Sequence, residues 1–335
     1  MNGSGSTMPT DDGTPRANKT GRTDSLGRQI SVSGPQNSPP PSDLKPPELA
    51  TFLPFDLVDL YEIDQGLVSA RRALLDAVEL LGAQTAALVL VGAQAVYERT
   101  GYEPEEGAPP ATNDADFAVD PHLLAASPVI GTALLDAGYR LTPDRPGVWK
   151  SPAGIGLDLL VPDAVAGAGS RAARLAIDQG KNAVGRAQGL ELALFDNDEM
   201  AVGSLDSDDP RSCNLRVAGH AALLCAKWTK LGERIAKEAQ RPDRVLPKDA
   251  VEVWRLMNSA EPGHVRDVFV RALDDDRFRL AAQRSLTFAS EHFGTPTSRG
   301  CHLIASGTGK GATSADARRL GNAASDWVQA FLAAF

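Results

Sequence analysis

The sequence predicts an α+β (α/β) protein, in which an N-terminal domain with a mixed sheet precedes a helical C-terminal domain. Two observations predict this class. Short apolar runs alternate with amphipathic segments between about residues 53 and 162, as strands alternate with helices. From about Val217 onward the chain is rich in Ala and Leu at helical spacing. We therefore predict a sheet-containing domain at 49–216 and a helical domain at 217–335.

Residues 1–48 differ from the rest of the chain in composition. They are crowded with Gly, Ser, Thr, Pro and Asn and contain almost no large apolar side chain. Such a segment buries too little surface to offset the entropy lost on ordering. We predict a disordered leader here.

The overall composition restricts the classes of protein and partner. The 335 residues are 42% hydrophobic and 23% charged, which is typical of a soluble globular protein. There is no uncharged apolar run of membrane-spanning length, so we expect no membrane partner. The three cysteines are odd in number and share no CxxC spacing, which favours the reducing cytoplasm. The net charge of −9 excludes a global basic field but not a local basic face.

The first predicted elements are a helix and a buried strand. Apolar residues recur at helical intervals from Leu67 to Leu81, with Asp64 as the N-cap and Gly82 as the stop. The continuous apolar run TAALVLV at 85–91 predicts a buried strand. A second helix is expected to begin directly after it, at Gly92.

Further strands and a helix are predicted downstream. DADFAV at 114–119 reads as a strand, and 121–139 as a helix that ends at Gly138. GVWKS and GIGLDLLVP, the latter at 154–162, predict a pair of strands joined as a hairpin.

Three aspartates stand inside these predicted strands. Asp114 and Asp116 are two residues apart, so a strand presents both carboxylates on one face. Like charges at that separation repel, so each acid would tend to be protonated unless a cation lies between them. Carboxylate oxygens suit Mg²⁺, which completes its shell with water and substrate phosphates. Asp158 has apolar neighbours on both sides, and it would join the pair if the two strands are neighbours.

Gly92 marks the point where a strand ends and a helix begins. The free N–H groups and the dipole at a helix start favour a bound phosphate, and a glycine lets the phosphate approach the backbone closely. A phosphate site facing a carboxylate cluster is typical of phosphoryl or nucleotidyl transfer, in which metal ions stabilise the attacking and leaving oxygens.

The ordered series LVGAQAVYERTG, TNDADFAV and GLDLL resembles the pattern of polymerase-β-type nucleotidyltransferases. In that pattern a strand ends in Gly-Gly or Gly-Ser, Asp-x-Asp follows on the next strand, and a single Asp lies on a later one. The segment LLCAKWTKLGERIAKEAQRPDRVLPKDAVEVWRLM is similar to the lysine-rich helix and Lys-Asp element of the AbiEii/MenT-type nucleotidyltransferase toxins. The resemblance spans roughly residues 65–257 through short motifs and implies a nucleotidyltransferase-like fold for the N-terminal domain.

On the carboxylate side, the resemblance implies that Asp114 and Asp116 bind Mg²⁺. Asp158 would deprotonate or orient the acceptor hydroxyl and could also ligate a metal. Gly92 and Ala93 would hold the triphosphate, although Ala93 stands where the family has Gly or Ser.

On the basic side, the resemblance implies that Lys227 and Lys230 reach the nucleotide phosphates as point charges. Lys248 and Asp249 match the later Lys-Asp element, and Asp249 would position the lysines.

The implied function is Mg²⁺-dependent transfer of a nucleoside monophosphate from a nucleoside triphosphate to a hydroxyl of tRNA or of a protein, by the toxin of a toxin–antitoxin pair. A nucleoside triphosphate, tRNA and a cognate antitoxin are then the expected partners. The alternatives are an antibiotic-modifying nucleotidyltransferase and a non-catalytic module that binds nucleotide or RNA. The three acids favour an enzyme, because a degenerate copy has no reason to keep a costly carboxylate cluster.

Each of these residues also has a purely structural interpretation. The Asp114/Asp116 pair could lie exposed at a turn, Asp158 on a solvated edge strand, and Gly92 at an ordinary strand-to-helix turn. Lys227 and Lys230 could belong to a solvated basic helix face with Arg234, Lys237, Arg241 and Arg244, or to a surface for an RNA backbone.

Overall fold

The computed structural model describes residues 63–167, 169, 171–308, 313–333 and 335. The predicted leader at 1–48 lies outside the described residues. The helices and strands below are those of the described part of the chain.

The protein contains one eight-stranded mixed sheet. Its strands are β1 Leu88–Val91, β2 Asp114–Val119, β3 Arg140–Leu141, β4 Val148–Lys150, β5 Gly156–Pro162, β6 Gly185–Ala187, β7 Asn197–Gly203 and β8 Ser212–Ala218. The strand order is β3-β4-β5-β2-β1-β8-β7, and β6 pairs with β5 off this path. In the centre, β1 runs antiparallel to β2 and parallel to β8, and β2 runs parallel to β5. The predicted mixed sheet is confirmed.

Three helices accompany the sheet in the first half, and six follow it. They are α1 Gln65–Leu81, α2 Gly92–Thr100, α3 Ile130–Asp136, α4 His220–Ala236, α5 Pro247–Asn258, α6 Pro262–Asp274, α7 Arg279–Phe293, α8 Arg299–Gly307 and α9 Ser314–Leu332. Short 3-10 helices lie at Gly82–Ala87, Asp163–Val165, Glu191–Leu194 and Pro242–Arg244. The prediction of a helical C-terminal region is therefore confirmed. No helix among the described residues is long and apolar enough to cross a membrane.

The C-terminal helices pack around aromatic side chains. The ring of Trp228 on α4 lies 6.1 Å from Phe269 and 5.5 Å from Phe331, measured between ring centroids. Trp327 of α9 stacks against Phe331 at 5.6 Å. Fully buried aromatic rings contribute large apolar areas to stability, so this cluster anchors α4 to the helices behind it. The position of α4 against these helices is thereby fixed.

The first helix and the second strand agree with the sequence prediction. The Asp64 side chain accepts a hydrogen bond from the Leu67 N–H at 3.0 Å, and Gly82 follows the last residue of α1 with φ +49°. β2 spans 114–119 as predicted, and β4 and β5 form the predicted antiparallel pair.

Two predicted elements are partly wrong. The strand expected at 85–91 begins only at Leu88, because residues 85–87 continue a 3-10 helix from α1. The helix expected at 121–139 is confined to Ile130–Asp136. Pro128 accounts for the late start, since a proline disfavours helical geometry in the residue before it and donates no hydrogen bond.

The largest omission of the sequence prediction is the strand pair β7 and β8. The two strands lie at 197–203 and 212–218, in and just beyond the stretch after residue 162 where no regular pattern is evident, yet β8 pairs with the buried central strand β1. The predicted domain boundary between residues 216 and 217 falls inside β8, which leads into α4 through Gly219. That boundary stays a prediction.

Candidate active site

The three predicted acids lie on neighbouring strands. In the register of the sheet, Val91 at the end of β1 is opposite Asp116, and Asp116 is paired with Asp158 on β5. Neighbouring strands are about 4.8 Å apart, so these positions form a row across the sheet. Asp114 is two residues before Asp116 and shares its face. The interpretation of Asp158 as a solvated edge-strand residue is wrong, because β5 lies between β2 and β4.

A cavity of about 590 Å³ opens over this row. Its size lies within the range of small-molecule sites. Its walls come from the sheet, from the β6 region and from α4 and the segment after it. The lining residues are Val91, Gly92, Asp114, Asp116, Arg145, Asp158, Leu160, Arg186, Ala187, Gln188, Leu190, Leu223, Ala226, Lys227, Thr229, Lys230, Glu233, Arg234, Lys237, Arg241 and Arg244. Eight of them are Lys or Arg and four are acidic, so a carboxylate cluster faces an excess of positive charge.

Gly92 is in direct contact with the second acid. Its φ is +72°, and a Cβ added there would lie 2.0 Å from the Asp116 Oδ2. Any side chain at this position would displace the carboxylate as well as strain the backbone. Gly92 is therefore more than a strand-to-helix turn, because it makes room for Asp116 at the start of α2.

Burial and mutual repulsion alter the acidity of this cluster. Burial first, and then the charges of Asp114 and Asp158, raise the pKa of Asp116 to about 7. Burial and the charge of Asp114 raise the pKa of Asp158 to about 6, although Arg145 and Lys150 oppose the shift. A carboxyl with a pKa near neutrality can accept a proton in catalysis.

The carboxylate oxygens of Asp114, Asp116 and Asp158 are ligands of the type that a hard cation such as Mg²⁺ prefers. The Asp114 carboxylate accepts a hydrogen bond from the Thr112 hydroxyl. None of the salt bridges in the described part of the chain involves Asp114, Asp116 or Asp158. Among the described residues, these carboxylates thus have no protein cation paired directly with them. Mg²⁺ bound by one or two carboxylates, with water and substrate phosphates completing its shell, matches this arrangement.

The same residues do not form a closed cage. Within the described ranges, no group of three or more His, Cys, Asp or Glu side chains is arranged to hold a metal ion. Mg²⁺ seldom uses an all-protein cage and completes its shell with water and substrate phosphates. The assignment of Mg²⁺ to Asp114, Asp116 and Asp158 stays a prediction.

The raised pKa values predict how stability depends on pH. The folded protein retains protons on these acids above the unfolded value of about 3.9, so the free energy of unfolding falls as pH rises from about 4 through 7. Asp116→Asn removes one titrating group and relieves the repulsion. Between pH 4 and pH 7.5, we expect the free energy of unfolding to fall less in this variant than in the wild type, by about 1 kcal/mol or more. Urea unfolding of both proteins at pH 5 and 7.5 measures this, and parallel losses would contradict it.

The two predicted lysines of α4 line the cavity in different states. Lys227 is 4% exposed, and its ammonium is ion-paired with Glu252 of α5. Burial opposes its charge, but Glu252 and Asp249 outweigh burial and raise the pKa of Lys227. Lys230 is 44% exposed in its side chain and lies 3.1 Å from the Asp249 Oδ1. Lys227 is thus not part of a solvated helix face, whereas Lys230 can reach a ligand.

Asp249 is placed where it can position basic residues, as the resemblance implies. It is buried, and its carboxylate contacts both Lys230 and Arg234. Burial acts against ionisation, but the charges of Lys230, Lys227 and Arg234 lower its pKa.

Two other predicted residues do not reach the cavity. Lys248 is exposed at the start of α5 and is not among the lining residues. Ala93 is 6% exposed and belongs to the hydrophobic core. Of the Gly92-Ala93 pair, only Gly92 faces the cavity.

Three residues at or beside the cavity were not predicted from the sequence. Arg145, in the turn before β4, and Arg186, on β6, line the cavity from the sheet side. Glu252 holds Lys227, and no motif marks it as a functional residue. The basic face of α4, by contrast, was predicted from the sequence, because Lys227, Lys230, Arg234 and Lys237 recur at helical intervals.

No protein-family model, curated protein or solved structure matches this chain.

Proposed function

We propose that this protein is a Mg²⁺-dependent nucleotidyltransferase. The observation that carries the proposal is the shared cavity, in which Asp114, Asp116 and Asp158 adjoin Gly92 and face a basic surface from α4. Carboxylates that suit a divalent cation, next to cations that suit a triphosphate, are the two halves of a nucleotide-transfer site.

Asp114 and Asp116 would hold Mg²⁺, which stabilises the charge that develops on the phosphates when it is bound. The acceptor hydroxyl attacks the α-phosphorus of the nucleoside triphosphate, a new P–O bond forms, and the bond to the β-phosphate breaks to release pyrophosphate. The Asp158 carboxylate accepts the hydroxyl proton. Its raised pKa suits that role, because a base with a pKa close to the working pH is effective.

The basic residues bind the triphosphate and its leaving group. Lys230 and Arg234 face the cavity and are oriented by Asp249, and Lys227 contributes charge from its buried pair with Glu252. Arg145 and Arg186 supply further positive charge from the sheet side. Restrained charges stabilise a developing negative charge better than mobile ones, since they need no reorganisation.

We further propose that the acceptor is a hydroxyl of tRNA or of a protein, as expected of a toxin with a cognate antitoxin in the cytoplasm. Lys237, Arg241 and Arg244 extend the positive lining beyond α4, which suits a polyanionic acceptor. The same extension supports the non-catalytic alternative, a module that binds RNA without reaction.

Incubation with Mg²⁺ and each α-labelled nucleoside triphosphate, with and without tRNA, tests the proposal. Label in RNA or in protein supports nucleotidyl transfer and identifies the acceptor. Bound nucleotide without transfer to either acceptor would replace the enzyme with a binding module.

Gly92→Ala should reduce transfer at least about 100-fold, because its methyl group must displace the Asp116 carboxylate and small misplacements of catalytic groups are costly. Gly154→Ala is the matched control. Gly154 also has positive φ, +81°, but nothing lies within 4 Å of an added Cβ. Both variants incur a backbone strain of roughly 1–2 kcal/mol. Equal activities of the two variants, assayed under conditions where both are folded, would remove Gly92 from the site.

A further inference from the structure

The backbone of residues 111–114, which ends at the first acid, Asp114, is held by hydrogen bonds to two side chains of α2. The Tyr97 hydroxyl accepts a hydrogen bond from the Ala111 N–H at 3.0 Å and lies 3.2 Å from the Ala111 carbonyl oxygen, to which it donates. Gln94 donates from Nε2 to the Asp114 carbonyl oxygen at 2.9 Å. Both side chains are nearly inaccessible to solvent, with exposures of 3% for Tyr97 and 1% for Gln94.

The orientation of the Gln94 amide is determined by its second partner. Arg71 Nε donates to the Gln94 Oε1 at 2.9 Å, so the amide nitrogen is the group that faces the Asp114 carbonyl. Arg71 is itself 1% exposed and contacts Glu98 and Tyr102. A side chain with both ends engaged in a buried network has little freedom, and its own position is well defined.

Between the two anchored points, Thr112 binds the acid itself. Its hydroxyl donates to the Asp114 Oδ1, and the side chain is 7% exposed. Tyr97 and Gln94 therefore hold the backbone on each side of the residue that orients the carboxylate. Outer partners of this kind set the direction and basicity of metal ligands.

Tyr97 also reaches the basic side of the cavity. Its hydroxyl lies 3.4 Å from Glu252 Oε1, and the other oxygen of Glu252 pairs with Lys227. One tyrosine thus contacts both the segment before Asp114 and the carboxylate that holds the buried lysine.

We propose that Tyr97 and Gln94 are positioning residues that fix the orientation of the Asp114 carboxylate for divalent-cation binding. Through its contact with Glu252, Tyr97 also links this orientation to the position of Lys227. Neither residue lines the cavity, so both act through the chain that they hold. The inference rests on the proposed function, because it concerns the cation that Asp114 would bind.

The test compares two tyrosines that differ in what they touch. Tyr97→Phe deletes the hydroxyl that holds Ala111. Tyr139→Phe is the control, because Tyr139 is also nearly inaccessible, at 4% exposure, and its hydroxyl shares no hydrogen bond with Arg71, Gln94 or residues 111–114 in the described structure. Gln94→Glu is a second variant, which keeps an acceptor for Arg71 and replaces the donor to Asp114 with a repelling oxygen.

The readout is Mn²⁺ binding, measured by electron paramagnetic resonance on the full chain with a non-hydrolysable nucleoside triphosphate. We expect Tyr97→Phe and Gln94→Glu to weaken Mn²⁺ binding by about 10-fold or more, in the range known for outer partners of metal ligands. Tyr139→Phe should stay within about twofold of the wild type, even with a similar loss of thermal stability.

Wild-type affinity in both test variants would overturn the inference while leaving the nucleotidyltransferase proposal standing. The inference would also be overturned if Mn²⁺ affinity fell in proportion to the melting temperature in all three variants, because the loss of affinity would then reflect lower stability. Absence of Mn²⁺ binding by the wild type would overturn the proposed function and this inference together.

Discussion

Asp116→Asn and Asp114→Asn are each expected to lower the rate of nucleotidyl transfer by about 1,000-fold or more. Each substitution keeps the shape of the side chain and removes one negative charge from the proposed Mg²⁺ site. Metal stabilisation of the transition state supplies several kcal/mol, and every 1.4 kcal/mol is about tenfold in rate. The variants should be no less stable than the wild type without metal, because repulsion within the cluster is relieved.

Asp120→Asn is the matched control for these substitutions. Asp120 follows the same strand, is not among the cavity residues, and accepts a hydrogen bond from the His122 N–H that an amide oxygen can also accept. Its transfer rate should equal that of the wild type. Rates for Asp114→Asn and Asp116→Asn equal to that of Asp120→Asn would mean that the acids are inert.

Glu252→Ala is expected to destabilise the protein by about 3–5 kcal/mol. It leaves the ammonium of Lys227 buried without its partner, and an uncompensated buried charge is costly. Chemical denaturation measures the loss. The double substitution Lys227→Met with Glu252→Leu removes both charges and should recover most of the stability, since apolar residues of similar volume can replace a buried pair.

The Glu252 experiment also separates structure from function at Lys227. The double variant should fold well and still transfer nucleotides more slowly than the wild type, because the cavity loses a fixed positive charge. If the double variant is as active as the wild type, Lys227 contributes only to stability. If Glu252→Ala costs less than about 1 kcal/mol, the pair is not buried in solution as it is in this structure.

Local patterns predicted the elements that carry the acids. The Asp-x-Asp strand, the Asp158 strand and the helix that starts at Gly92 all follow from short-range signals of periodicity and glycine placement. That β2 and β5 are neighbours could not be read from spacing, because strand order depends on contacts between distant segments. The register Asp116 with Asp158 is a property of the folded sheet alone.

Other features could not be predicted from the sequence for the same physical reason. β8 lies beside β1 although more than a hundred residues separate them, and its sequence SCNLRVA has only a weak strand pattern. The Lys227–Glu252 pair joins two helices whose packing no local motif encodes. Ala93 shows the limit of motif transfer, because adjacent positions at a helix start point in different directions and only Gly92 faces the cavity.

The most direct test of the proposed site is a crystal structure with Mn²⁺ and a non-hydrolysable nucleoside triphosphate, in which anomalous scattering locates the metal. We expect a metal peak about 2 Å from carboxylate oxygens of both Asp114 and Asp116, with phosphates between the metal and Lys230. A nucleotide bound elsewhere, or a metal peak away from these carboxylates, would contradict it.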